Sequence, residues 1–191
     1  MGLRQHASQA YNFSDAVYIR LFMPKKHSFS SASYLRNFVF GVEDGLVSTV
    51  GLLSGIAIAG MDARVILVTG IILIAIEAFS MAVGSFLSEY STEEYLEKSK
   101  VSTRVPLLDG LVMFFSYFVS GFIPLAPYIF MPINPAFWYS ICLSLVALFF
   151  LGIISAKVAK LNIVRSGFRA LAVGGVAIIA GILLGKIVSA L

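Results

Sequence analysis

Three side chains that can bind a cation stand inside long apolar stretches of the sequence: Asp44, Glu77 and Met81. A carboxylate near the centre of a lipid bilayer costs about 2.5–3.5 kcal/mol or more, so an acid there normally has a partner or a task. Oxygen ligands alone suit Mg²⁺ or Ca²⁺, whereas an added thioether sulfur shifts the preference toward a softer divalent ion such as Fe²⁺, with Mn²⁺ also open. These residue types indicate a divalent-metal site inside a membrane.

The elements that must position these residues are apolar helices. Of the 191 residues 59% are apolar and 13% are charged, a composition that excludes an ordinary soluble domain. Segments long enough to cross roughly 30 Å of hydrocarbon as helices are predicted at 38–60, 65–87, 110–131, 137–156 and 168–190. The sequence therefore predicts an all-α integral membrane protein with five transmembrane helices and no second folded domain.

Residues 1–34 are predicted to form a polar N-terminal arm, followed by a five-helix transport domain at 35–191. The arm has no continuous apolar core of the kind that a cleavable signal peptide needs, so it is expected to be retained. A short interfacial helix is expected around 14–23.

Lysines and arginines collect on one side of the predicted helices. The arm with the adjoining Arg36, the second connection and the fourth connection together hold twelve of them, and the opposite side holds two, Arg64 and Lys186. Because cytoplasmic flanks carry the positive excess, the N-terminus is predicted in the cytoplasm and the C-terminus across the membrane. The net charge of +4 is then a topology signal, and no nucleic-acid partner is expected.

Depth and face distinguish the two neighbouring acids of the first helix. Asp44 lies about 12 Å along the helix axis from Arg36, below the interface. At about 100° per residue it shares a stripe with Ser48 and two glycines, whereas Glu43 points toward another face. Asp44 is therefore the acid on the face of small residues.

In the second predicted helix, Glu77 and Met81 lie one turn apart on one face. Met81 is expected at the same depth as Asp44, with Glu77 one turn deeper. Methionine alone is usually core filler, but a mid-membrane acid on the same face strengthens a binding role for both residues.

Glycines at four-residue spacing occur in the first and last predicted helices. This spacing lets two helix backbones approach closely in lipid, and packing alone is the favoured interpretation. The pairs are Gly41 with Gly45, Gly51 with Gly55, and Gly181 with Gly185.

The connection after the second helix is acidic, with Glu89, Glu93 and Glu97 at helical spacing. These three form a candidate site at which metal collects on the cytoplasmic side. The favoured alternative is a solvated helix end, in which Ser91 and Glu94 form a capping box.

Other site chemistries find little support in the sequence. The two histidines lie in the arm without a second ligand at zinc spacing, and the single cysteine cannot form an internal disulfide. No histidine within the apolar segments can activate a serine, so an enzyme is the weak hypothesis.

Three segments carry a family resemblance. They read FGVEDGLVSTVGLLSGIA at 40–57, EAFSMAVGSFLSEYS at 77–91 and GFIPLAPYIF at 121–130. From about residue 35 onward, the chain resembles the vacuolar iron transporter family of divalent-metal exporters, in a short form without the family's cytoplasmic metal-binding insert. The resemblance implies a five-helix homodimer that moves iron or manganese out of the cytosol in exchange for protons, along a path beside the first helices.

The same resemblance places the family's transport aspartate on Asp44 and its transport methionine on Met81. The family carboxylate of the second helix lies elsewhere along that helix, so Glu77 is expected to replace it and to accept the counter-transported proton. Glu43 completes the predicted metal set.

The expected partners are thus a divalent ion, protons, membrane lipid and a second copy of the chain, with no resident cofactor. The membrane would be the cell membrane in a prokaryote and a vacuolar or other internal membrane in a eukaryote. A structural or partner-binding membrane protein, whose buried acids serve only helix packing, is the alternative function.

Overall fold

The computed structural model describes residues 26–97, 102–160 and 162–190. These residues form helices and turns and contain no strand. The helices are α1 (Lys26–Ile58), α2 (Ala63–Glu97), α3 (Arg104–Phe130), α4 (Ile133–Val158) and α5 (Ile163–Ser189). Each contains a stretch long and apolar enough to cross a membrane, which confirms the predicted five-helix integral membrane protein. The predicted interfacial helix at 14–23 lies outside the described residues.

The chain divides into two compact units, Met1–Ser33 and Tyr34–Leu191, and the helix bundle belongs to the second. Its helices are longer than the predicted segments, since 26 to 35 residues extend roughly 39–52 Å. Hydropathy detects only the part of a helix that lies in hydrocarbon. The largest differences are at the start of α1, which begins at Lys26 instead of 38, and at the end of α2, which continues from the predicted end at 87 to Glu97 through a polar stretch.

Short turns join the helices and make neighbours antiparallel. After α1, Gly60 adopts φ of +77°, a left-handed conformation that glycine tolerates, and Met61 N donates to the Ile56 carbonyl at 3.4 Å. At the start of α5, the Asn162 side chain accepts a hydrogen bond from Arg165 N at 3.2 Å as an N-cap. One end of the bundle therefore holds Arg36 and the other holds Met61, and we call them the Arg36 end and the Met61 end.

Helix α1 packs against α3 through its first pair of glycines. A Cβ atom added at Gly41 would lie 2.8 Å from the Cβ of Ser116, and one added at Gly45 would collide with Ser120 Oγ. These close contacts leave room only for hydrogen at both positions. The first glycine pair thus fixes the distance between α1 and α3.

Helix α1 packs against α5 through glycines on both sides. A Cβ atom added at Gly181 would collide with the carbonyl oxygen of Gly51, and one added at Gly185 with that of Gly55. The two backbones are therefore in direct contact. The predicted role of the four-residue spacing in packing is confirmed, and the contact lies within one chain.

The core lies where α1 meets its neighbours, and the outer faces of the helices are apolar. Leu53 of α1 packs with Ile66, Leu125 and Tyr128 toward the Met61 end, and Leu46 packs with residues of α4 and α5. Large apolar side chains remain exposed along the helices. An outer surface of this kind is stable in contact with lipid tails.

Candidate metal-transport site

Asp44 lies half-buried at one end of a groove between α1 and α5. The groove has a volume of about 620 Å³ and extends past the Gly51 and Gly181 backbones to Met61 and Val188 at the Met61 end. Its lining is otherwise made of apolar and small residues, so Asp44 is the one ionisable residue among them. The predicted association of Asp44 with small residues is confirmed.

A serine and a tyrosine support the turn of α1 that carries Asp44. Ser48 Oγ donates to the Asp44 carbonyl oxygen at 2.6 Å and shares a 2.7 Å hydrogen bond with the Tyr117 hydroxyl of α3. Tyr117 is completely buried. Sequence reasoning did not identify Tyr117, although a tyrosine on an apolar helix face implies a hydroxyl that needs a partner.

Glu77 of α2 is half-buried and belongs to the same neighbourhood as Asp44. The two carboxyls interact electrostatically with each other, and both also act on the Tyr117 hydroxyl. Two acids that are 33 positions apart in the chain are thus brought together by the packing of α1, α2 and α3. Like charges in this arrangement favour the arrival of a cation between them.

Met81 is half-buried one turn from Glu77, on the side toward the Arg36 end. Its thioether would add a soft ligand to the two carboxyls. A common depth for Met81 and Asp44 stays a prediction.

Glu43 faces a different space from Asp44. It lines a cavity of about 40 Å³ between α1, α4 and α5, together with Ser155, Ser166 and Arg169. The predicted separation of the two acids onto different faces is therefore confirmed, and a metal-binding role for Glu43 stays a prediction. The guanidinium of Arg169 in the same cavity opposes the binding of a cation there.

The acids of the α2 end do not form one solvated ridge. Glu89 is buried and pairs with Arg36 of α1 at 3.4 Å, whereas Glu97 is exposed. Glu93 is partly exposed between them. The capping-box interpretation is wrong, because α2 continues without a break through Ser91 and Glu94 and no helix begins there.

A second polar contact joins α1 to α3 at the same end. Asn37 Nδ2 donates to Asp109 Oδ1 at 2.8 Å, and both side chains are buried. Residue spacing within a single helix does not indicate that Asn37 and Asp109, 72 positions apart, form a pair.

Within the described residues, no group of three or more His, Cys, Asp or Glu side chains lies close enough to hold a metal ion. One chain supplies two neighbouring carboxyls, from Asp44 and Glu77, and a thioether one turn away. In the part of the chain that the structure describes, Asp44 also has no lysine or arginine partner. A carboxyl that served helix packing alone would be expected to have one.

Helices of this length, with acids inside and a groove leading to one of them, define an integral membrane protein. The family model described as "VIT family" matches residues 35–105 and 100–186. The chain belongs to the VIT family.

Individual relatives agree with this assignment. The chain is 47% identical over 60 residues to vacuolar iron transporter homolog 4 of Arabidopsis thaliana, covering 31% of this chain and 30% of the relative. It is 34% identical over 86 residues to homolog 1 of the same plant, covering 44% and 43% of the two chains. It is 24% identical over 224 aligned positions to vacuolar iron transporter 1 of Tulipa gesneriana, covering 86% and 90%. The matches to the two Arabidopsis proteins thus span less than half of their lengths.

Proposed function

We propose that the protein carries Fe²⁺ or Mn²⁺ out of the cytosol in exchange for protons. The observation that carries the proposal is Asp44, a carboxyl on the groove between α1 and α5 with no basic partner among the described residues. The names of the relatives, which are iron transporters, support iron as a substrate. The cell membrane of a prokaryote or a vacuolar or other internal membrane of a eukaryote is the proposed location.

In this proposal a dehydrated ion binds between Asp44 and Glu77. The two carboxylates replace part of its lost water shell and compensate the cost of holding a charge in hydrocarbon. Met81 adds sulfur and favours Fe²⁺ over harder ions. The Ser48–Tyr117 hydrogen bond holds the Asp44 turn in place while the ion passes.

The proposal also gives the direction in which the metal moves. The positive flanks assign the Arg36 end to the cytoplasm, so the groove from Asp44 to Met61 leads away from the cytosol. Glu77 takes up the counter-transported proton when the ion leaves. The metal and the proton thus occupy the same acidic neighbourhood in turn.

A homodimer would complete the site. The groove is open along its side, and among the described residues Asp44 interacts electrostatically with the carboxyls of Glu77 and the adjacent Glu43, fewer ligands than a transition-metal ion takes up. A second copy packed on α1 would close the groove and add a second Asp44. Native mass spectrometry of the purified protein checks this step, and a monomer as the sole species would contradict it.

Transport by Asp44→Ala tests the proposed function. Proteoliposomes with one dye for Mn²⁺ and one for pH should show opposite metal and proton fluxes for the parent protein. Asp44→Ala should lose nearly all metal flux, since it removes the acid on the groove. Asp62→Ala is the matched control, because Asp62 is exposed in the turn after α1, and it should transport like the parent. Full transport by a correctly folded Asp44→Ala variant would contradict the mechanism.

A further inference from the structure

Two consecutive residues of α1 bind two different helices at the Arg36 end. Arg36 Nη2 lies 3.4 Å from Glu89 Oε2 of α2, and Asn37 Nδ2 lies 2.8 Å from Asp109 Oδ1 of α3. We call these four residues the latch. It ties α1, α2 and α3 together at this end, while the groove beside Asp44 leads to the opposite end.

The two partners of the Arg36–Glu89 ion pair differ strongly in burial. The Glu89 side chain is 5% exposed, but that of Arg36 is 65% exposed. The Glu89 Oε1 atom is buried and has no hydrogen-bond partner among the described residues. Because buried carboxylate oxygens normally accept hydrogen bonds, this atom is left able to bind a further ligand.

The charges around the latch select the kind of ligand. The Tyr34 hydroxyl lies within electrostatic range of three carboxyls, those of Glu89, Glu93 and Asp109, and of the Arg104 guanidinium. Among the described residues around Tyr34, these three carboxylates outnumber the two guanidiniums of Arg104 and Arg36. Carboxylate oxygens are ligands for divalent cations, and a divalent ion is attracted to Glu89 more strongly than a single guanidinium.

We propose that Glu89 binds a divalent cation on the cytoplasmic side, and that the cation displaces Arg36 and releases α1 from α2. The exposed Arg36 side chain can leave toward water, whereas the buried Glu89 stays in place. The ion that is to be transported would then open the end of the bundle through which it must pass. The orientation of the latch rests on the proposed function, but cation binding at Glu89 does not require transport.

Opening can be measured with a buried reporter. Met113 is 3% exposed and lies one turn along α3 from Asp109, next to Gly41 of α1. A Met113→Cys variant, with Cys142→Ser to remove the native thiol and Asp44→Ala to remove the central acid, would be titrated with Mn²⁺ in lipid nanodiscs. The rate at which a small charged thiol reagent modifies Met113→Cys should rise with Mn²⁺ concentration.

The two partners of the ion pair should then affect Mn²⁺ binding in opposite ways. Both Arg36→Gln and Glu89→Gln break the tie to α2, so the thiol reagent should react quickly with either variant even without Mn²⁺. Mn²⁺ binding, followed by electron paramagnetic resonance, separates the two variants. Arg36→Gln removes the competitor and should lower the half-saturating Mn²⁺ concentration by about fivefold, the range expected for a partly exposed ion pair, whereas Glu89→Gln removes the ligand and should lose this binding. Glu94→Gln is the matched control on the exposed surface of α2 and should respond like the parent.

Two results would overturn the proposal. Mn²⁺ binding that persists in Glu89→Gln would place the cation elsewhere, and equal effects of Arg36→Gln and Glu89→Gln on Mn²⁺ binding would show an ion pair with a purely structural role. If Glu89→Gln does not fold, Glu89→Asp serves in its place and should need severalfold more Mn²⁺, because the shorter side chain holds its carboxylate farther from the opening. Since Asp44→Ala is present throughout, a failure of metal export would leave this result unaffected.

Discussion

Asp44 and Glu77 combine two properties that rarely coexist in a membrane, a carboxyl group and the absence of a basic partner among the described residues. Their electrostatic repulsion is relieved when a cation binds near both carboxyls, which supports the proposed metal site. The proposed roles of Met81 and Glu77 can be tested separately, because Met81 would affect which ion is transported and Glu77 would affect the coupling to protons.

Met81→Leu should change selectivity more than rate. Leucine keeps nearly the same volume and apolar character, so packing is retained while the sulfur ligand is lost. We expect transport of Fe²⁺ to fall by about tenfold relative to Mn²⁺, the equivalent of about 1.4 kcal/mol, since the softer ion gains more from sulfur. Competition between the two ions in proteoliposomes measures this ratio, and an unchanged ratio would exclude Met81 as a ligand.

Glu77→Gln should uncouple metal movement from pH. Glutamine has the shape of glutamate but cannot release or take up a proton. We expect the remaining metal flux to be nearly constant between acidic and neutral conditions, whereas the parent should speed up when the proton gradient is directed opposite to the metal flux. Paired recordings with metal and pH dyes provide the measurement. A variant that retains the pH dependence of the parent would assign the proton to another group.

At the scale of single residues, the sequence predicted those whose chemistry is unusual for their depth. Asp44 and Glu77 stand out because acids are rare in apolar helices. Tyr117, Asn37 and Asp109 were missed because their roles depend on partners 69 to 72 positions away, and only the packed helices bring these partners together.

At the scale of the helices, the sequence predicted the five spans but not their full lengths. The end of α2 is polar on its surface, and hydropathy cannot detect a helix that leaves the hydrocarbon. Glycine spacing correctly predicted close packing of helices, but it did not indicate which helices are in contact. Gly41 and Gly45 face serine and tyrosine residues of α3, while Gly51 faces Ala177 and Gly55 faces Gly181 of α5.

The backbone contact between α1 and α5 predicts a strong effect of bulk at Gly181. A side chain there would collide with the Gly51 carbonyl, and neither backbone can move aside without displacing its helix. Gly181→Val should therefore destabilise the protein by at least about 1–3 kcal/mol, the usual cost of overpacking. Thermal unfolding of the purified protein in detergent measures the change as a lower midpoint temperature.

Gly175→Val is the matched control for this effect. Gly175 lies on the same helix, and a Cβ atom built there has no neighbour within 4 Å. It should leave the midpoint temperature nearly unchanged, which separates the loss of contact from the general effect of valine in a helix. Equal midpoints for the two variants would contradict a packing role for Gly181.

At the scale of the whole molecule, the two ends of the bundle differ in the number of lysines and arginines they carry. The turn after α4 and the start of α5 hold Lys157, Lys160, Arg165 and Arg169 at the Arg36 end, whereas the Met61 end holds Arg64 and Lys186. Because positive flanks are retained in the cytoplasm, this difference predicts one orientation for the bundle. The path from Asp44 toward Met61 then points away from the cytosol.

Reporter fusions test the orientation. Alkaline phosphatase, which is active only outside the cytoplasm of a bacterial host, should be inactive when joined after Lys160 and active when joined after Ser189. A fluorescent protein that folds only in the cytoplasm should give the reverse pattern at the same two positions. Reporter activity on one side for both junctions would contradict a span between them. The opposite pattern at both would invert the bundle, and the proposed transport would then carry metal into the cytosol.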